Sequence, residues 1–94
     1  MAAAYWKSGL AERESVFNLH YRKNPFGGGF ALACGLQTAL EYLERFRFDK
    51  EDVSYLGSLK GADEKPIFEA GFLDYLRDLR LSLDVDAIAE GTPV

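Results

Sequence analysis

Between residues 24 and 29 the chain reads Asn-Pro-Phe-Gly-Gly-Gly, and no regular element can run through that stretch. Pro25 has no N–H to offer a ladder or a helix, and Gly27, Gly28 and Gly29 have no Cβ to restrain the backbone. The break separates two different periodicities. Upstream, Val16 to Arg22 alternates: Phe17, Leu19 and Tyr21 fall on one face, and Val16, Asn18, His20 and Arg22 on the other. That period of two is the spacing of a strand, which Asn24-Pro25 would end. Downstream, from Phe30 to about Arg47, Leu32, Leu36, Ala39, Leu40, Leu43 and Phe46 recur at helical spacing, and Glu41 and Arg45 stand four apart as an ion pair would.

The remaining segments are mostly helical in pattern. Ala2 to Ser8 favours helix, and Gly9 is a good stop. With no N-cap it reads as the end of a longer helix, with Met1 inside it. Asp49 is the expected N-cap of a helix reaching about Leu59, with Val53, Leu56 and Leu59 as its apolar stripe. Lys60 to Asp63 is a loop. Pro66 suits the first turn of another helix, whose stripe is Phe68, Phe72, Leu76 and Leu79, weakened slightly by Gly71. Leu83 to about Ala89 is strand-like, and Glu90-Gly91-Thr92 is a turn resembling half of an unfinished hairpin. The expected order is α-β-α-α-α-β, an α+β (mixed α/β) class. Two separated strands make no sound sheet. The pattern therefore predicts an incomplete sheet in one small domain, residues 1–94, that needs more sequence or a partner chain.

Composition narrows the function. A net charge of −4 disfavours a nucleic-acid binder. One cysteine, Cys34, permits no intrachain disulfide and too few ligands for zinc, which suits a reducing cytoplasm. No apolar run approaches the roughly 18 residues needed to span a bilayer, and no secretory signal pattern is visible.

The residues with the clearest chemistry are Arg22 and Lys23. Arginine offers a planar fork of donors that matches phosphate, and Gly27, Gly28 and Gly29 would let backbone come close to an anion. A helix beginning at Phe30 would add its positive end. No GxxxxGK[ST] run is present, so this is not a nucleotide P-loop. The competing reading is a plain strand-to-helix connection with solvated cations. His20, the only histidine, has no nucleophile beside it in sequence and reads as a partly exposed strand residue. Cys34, among small and apolar neighbours, reads as buried. The acids Glu12, Glu14, Asp49, Glu51, Asp52, Asp63 and Glu64 read as caps and solvated faces, with Glu90 before Gly91 a possible exception. Tyr5 and Trp6 could stack on a ring, but aromatic residues on a helix are more often core.

Three strings carry a resemblance: Tyr5-Trp6-Lys7-Ser8-Gly9, Val16-Phe17-Asn18-Leu19, and Tyr21-Arg22-Lys23-Asn24-Pro25-Phe26-Gly27-Gly28-Gly29-Phe30-Ala31-Leu32-Ala33-Cys34-Gly35-Leu36. Leu40 to Leu43, Phe72 to Leu76 and Ala87 to Thr92 follow in order. Together they resemble the N-terminal region of nicotinate phosphoribosyltransferases. Arg22 to Leu36 is the specific part. The resemblance implies an N-terminal mixed α/β domain preceding an irregular α/β barrel that is absent here. It implies an enzyme that joins nicotinate to phosphoribosyl pyrophosphate with the help of ATP and Mg2+, in cytoplasmic NAD biosynthesis. Family members are often head-to-tail dimers in which this domain covers the partner's barrel.

On that resemblance Arg22 matches an arginine near the substrate phosphates, with Lys23 a weaker companion and Gly27, Gly28 and Gly29 shaping the turn. Catalytic residues lie beyond residue 94, so the segment alone should be inactive and hold no cofactor. The chain also departs from the family pattern. An Asp-Leu-Tyr-Gln-like segment is missing before Met1, His20 stands where an aromatic residue is common, and Ala89 stands where Pro is usual. His20 does not match the family's catalytic histidine. The alternatives are a non-catalytic self-associating or docking domain, and a nicotinamide-using relative.

Overall fold

The computed structural model describes all residues from Met1 to Val94. It contains four α-helices: α1 (Ala2–Lys7), α2 (Leu36–Arg45), α3 (Lys50–Ser58) and α4 (Ala70–Asp78). A 3-10 turn, Pro25–Gly27, precedes α2. No strand and no sheet form, and only isolated bridges are present, Leu32 with Pro93 and Lys60 with Pro66. The α+β class expected from the alternation is therefore wrong for this chain, which is helical. The reason is that alternation shows which residues could share a face but supplies no partner. No backbone N–H or C=O between Val16 and Asn24 enters a backbone hydrogen bond. Leu83–Ala89 likewise forms no strand.

The chain divides into two units, one comprising residues 1–15 and 46–81, the other residues 16–45 and 82–94. The first contains α1, α3 and α4. Gly9 ends α1 as expected, in the left-handed conformation at φ 72°. The Gly9 N–H donates to Trp6 O (3.1 Å) and the Leu10 N–H to Tyr5 O (2.8 Å), a Schellman closure that satisfies two orphan carbonyls. Asp49 caps α3 as its sequence position predicts. Its carboxylate accepts from the Asp52 N–H at 2.9 Å, and the Asp52 carboxylate accepts from the Asp49 N–H at 3.0 Å. The reciprocal pair satisfies two donors at the helix start, where negative charge is also favoured.

Helix α4 starts at Ala70, later than Pro66 suggested. Residues 66–68 stay out of the helix because the chain bridges back: the Ile67 N–H donates to Leu59 O, and Lys60 pairs with Pro66. The expected stripe nonetheless forms the core. Phe72 and Leu76 are only 4% and 6% exposed, with Phe68 and Leu79 half-buried beside them. The Phe72 ring lies 5.8 Å from Trp6 and 5.7 Å from Phe68, distances at which tilted rings attract beyond their area burial. Gly71 has a reason beyond propensity, since a Cβ there would stand 3.0 Å from the Trp6 ring. Glycine is what lets α1 lay its indole against α4.

In the second unit α2 is shorter than its periodicity suggested, starting at Leu36 rather than Phe30. Residues 31–33 instead pair with 91–94: Ala31 and Val94 exchange both N–H···O bonds at 2.9 and 2.8 Å, and the Ala33 N–H donates to Thr92 O at 2.9 Å. Leu36, Leu40 and Leu43 form the half-buried stripe, while Leu32 and Ala39 are exposed. Glu41 accepts from Gln37 at 2.8 Å and makes no ion pair with Arg45. Cys34 is an exposed free thiol, not the buried residue expected from its apolar neighbours, because it falls between the short paired stretch and the start of α2 and not inside a helix. No residue of this unit is fully buried. No helix is long and apolar enough to cross a membrane.

Candidate anion site

The candidate site lies in the second unit, on the loop from Arg22 to Phe30. Every residue of that loop is exposed. Pro25 opens a tight turn closed by the Gly28 N–H donating to Pro25 O at 3.0 Å. Phe26 takes left-handed angles (φ 56°, ψ 22°), and Gly27 follows at φ 67°. Left-handed backbone is easy for Gly27. For Phe26 it costs roughly 1–2 kcal/mol, so the turn stores some strain in an exposed aromatic residue. A Cβ at Gly28 would meet the carbonyls of Pro25 and Phe30 at ordinary van der Waals distance, and one at Gly29 would meet nothing. The Gly29 N–H enters no backbone hydrogen bond, whereas the Gly27 N–H lies within the 3-10 turn.

Arg22 and Lys23 precede this turn, and neither takes part in an ion pair. Two cations beside a glycine turn can attract and hydrogen-bond an anion. The third expected contributor is absent from the loop. With α2 starting at Leu36, the glycines do not sit at its N-terminus. The positive end of α2 is already engaged: the N–H groups of Gly35 and Leu36 donate to the two carboxylate oxygens of Glu90, at 2.9 and 3.1 Å. A carboxylate there satisfies two orphan donors and complements the helix dipole. Glu90 is thus a long-range cap. The signal for it in sequence was slight, an acid before a turn glycine, and its target was not readable at all.

The other singled-out residues separate cleanly. His20 is exposed, with no hydrogen bond to a nucleophile. Trp6 is a core residue against Phe72, and Tyr5 is exposed. No group of three or more His, Cys, Asp or Glu side chains converges to hold a metal ion. Tyr75 was not foreseen. Its hydroxyl donates to Glu12 at 3.0 Å, and burial, followed by the hydrogen bond and charge of Glu12, raises its pKa above the usual 10.0.

The family model for the nicotinate phosphoribosyltransferase N-terminal domain matches residues 1–94. This chain belongs to that family. It is 41% identical over its whole length to nicotinate phosphoribosyltransferase 1 of Arabidopsis thaliana, 37% to the Caenorhabditis elegans nicotinate phosphoribosyltransferase, and 40% over 98% of its length to that of Homo sapiens. In each case the match spans 16% of the relative's length. No solved structure matches the chain. As an N-terminal domain of nicotinate phosphoribosyltransferase it carries the Arg22–Leu36 string on one continuous loop and helix start.

Proposed function

We propose that this domain serves an enzyme that condenses nicotinate with phosphoribosyl pyrophosphate to give nicotinate mononucleotide, in NAD biosynthesis. In that reaction the pyridine nitrogen forms a bond to C1 of the ribose as the C1–O bond to pyrophosphate breaks. Pyrophosphate leaves with the negative charge. The domain's contribution is electrostatic: Arg22, helped by Lys23, meets a phosphate of the substrate, while Gly27, Gly28 and Gly29 hold the turn open to it. The observation that carries this reading is an exposed arginine and lysine without carboxylate partners, beside a glycine turn in which the Gly29 N–H makes no backbone hydrogen bond.

The bond-making groups belong to sequence outside residues 1–94. So do the groups that would hold Mg2+ and ATP, whose hydrolysis would give the enzyme its ligase-like energetics. The 94-residue segment alone is expected to form no nicotinate mononucleotide, because positioning and charge stabilisation both need the missing part. A homodimer in the cytoplasm is the setting that fits a domain contributing cations to a shared site.

The test is Arg22→Ala in the full-length enzyme. Loss of one charge-assisted hydrogen bond, about 1.5–3 kcal/mol, should raise KM for phosphoribosyl pyrophosphate by about tenfold or more. Lys23→Ala should have the smaller effect. An unchanged KM would make Arg22 a solvated surface cation.

A further inference from the structure

The loop that carries Arg22 and Lys23 has no buried residue to hold it, since every position from Arg22 to Phe30 is exposed. The Gly28 N–H bond to Pro25 O closes a turn inside the loop but ties it to nothing else. An exposed loop of this kind is placed by the scaffold at its two ends.

Both ends meet at one residue. Downstream of the loop, the Ala31 N–H donates to the Val94 carbonyl at 2.9 Å and the Val94 N–H donates to Ala31 O at 2.8 Å. Upstream, the Tyr21 hydroxyl donates to the same Val94 carbonyl at 2.9 Å. A carbonyl oxygen has two lone pairs, so Val94 accepts from both sides of the loop at once. Val94 is itself anchored. The Ala33 N–H donates to Thr92 O at 2.9 Å, the Gly91 N–H donates to Ala33 O at 2.6 Å, and Glu90 holds the start of α2.

Tyr21 is the last residue before the cations, so its hydroxyl bond fixes the point from which Arg22 departs. Without that bond the loop is fastened at its downstream end alone. Arg22 then has more freedom to lose when it meets an anion, and that loss weakens binding. The backbone from Val16 to Asn24 makes no backbone hydrogen bond that could substitute.

We propose that Tyr21 is a positioning residue for substrate binding: its hydroxyl, through the Val94 carbonyl, holds Arg22 where it meets a phosphate of phosphoribosyl pyrophosphate. Tyr21 touches no reacting atom in this role and acts only through Arg22. The inference rests on the phosphate-binding reading of Arg22 and adds the residue that makes that reading geometrically precise.

The experiment uses the full-length enzyme and compares the native protein, Tyr21→Phe, Arg22→Ala and the double variant. Tyr21→Phe keeps the ring and removes only the hydroxyl, so the fold is retained. KM for phosphoribosyl pyrophosphate should rise by about three- to tenfold, the usual worth of one net hydrogen bond. The kcat value and KM for nicotinate should stay within about twofold, since ground-state binding of one substrate is what changes. In the Arg22→Ala background, Tyr21→Phe should have no further effect on KM for phosphoribosyl pyrophosphate, because the group it positions is gone. An unchanged KM in Tyr21→Phe overturns the proposal. So does an equal rise with and without Arg22, or a fall in kcat with both KM values unmoved, each of which would make Tyr21 act by another route. With any of these, a large effect of Arg22→Ala alone leaves the phosphate reading of Arg22 standing. No effect of Arg22→Ala overturns that reading, and the role of Tyr21 falls with it.

Discussion

The two units differ in where their apolar residues go. In the helical unit, Phe72 and Leu76 are withdrawn from water by α1 and α3 side chains, and aromatic rings from Trp6, Phe68 and Tyr75 surround Phe72. In the other unit, Val16, Phe17, Leu19 and Phe26 stand almost wholly in solvent, and the unit is held by a short backbone pairing, the Tyr21–Val94 bond and the Glu90 cap. Both units have similar apolar content in sequence. What separates them is that helices satisfy their own backbone and need only a face to pack on, whereas a strand needs a neighbour for its backbone first.

The largest expected contrast comes from matched truncations. Phe72→Ala should destabilise the chain by about 3–5 kcal/mol, seen as a shift in denaturation midpoint, because it empties the aromatic core. Phe17→Ala should leave the midpoint of the 94-residue chain essentially unmoved, and equal losses at the two positions would erase the distinction between the units.

Glu90→Ala should cost about 1–2 kcal/mol at the start of α2, the usual range for a lost cap. The effect is read by faster amide exchange in residues 35–39. It should leave α3 and α4 untouched, and a loss spread over both units would mean that they unfold together. Asp49→Ala is the counterpart in the helical unit, with about 1 kcal/mol expected and read at the start of α3.

The smallest effect concerns pH. The Tyr75 pKa is raised in the folded chain, so its contribution to stability is fully present below pH 10.0, its ordinary value, and is lost as pH rises through the folded value. Stability should therefore fall more steeply above about pH 10 in the native chain than in Tyr75→Phe. Parallel pH profiles would remove the burial and Glu12 bond from the account of that unit.

Much of the helical unit was legible in advance. The stripes Val53-Leu56-Leu59 and Phe68-Phe72-Leu76-Leu79, the Asp49 cap and the Gly9 stop all follow from local rules that act within a few residues. The loop from Arg22 to Phe30 was legible as a break with two cations. Its relation to α2 was not, because the helix start moved to Leu36 when residues 31–33 paired with residues 91–94. Trp6 against Gly71 and Glu90 against Gly35 and Leu36 join residues more than 50 positions apart, and no local pattern encodes such meetings.

The sequence by itself determined that helices form in these regions though not where α2 and α4 begin, the stripe through Phe72 and Leu76, the glycine break, and the family to which the chain belongs. These depend on spacing and side-chain type, which are local. Only the tertiary structure decided that Phe72 is the centre of the core, that a carboxylate from the far end of the chain closes α2, and that the alternating segment Val16–Tyr21 stays unpaired. Those outcomes depend on which distant backbone and side-chain groups arrive in the same place, and a strand pattern cannot become a strand until its hydrogen-bond partner is there.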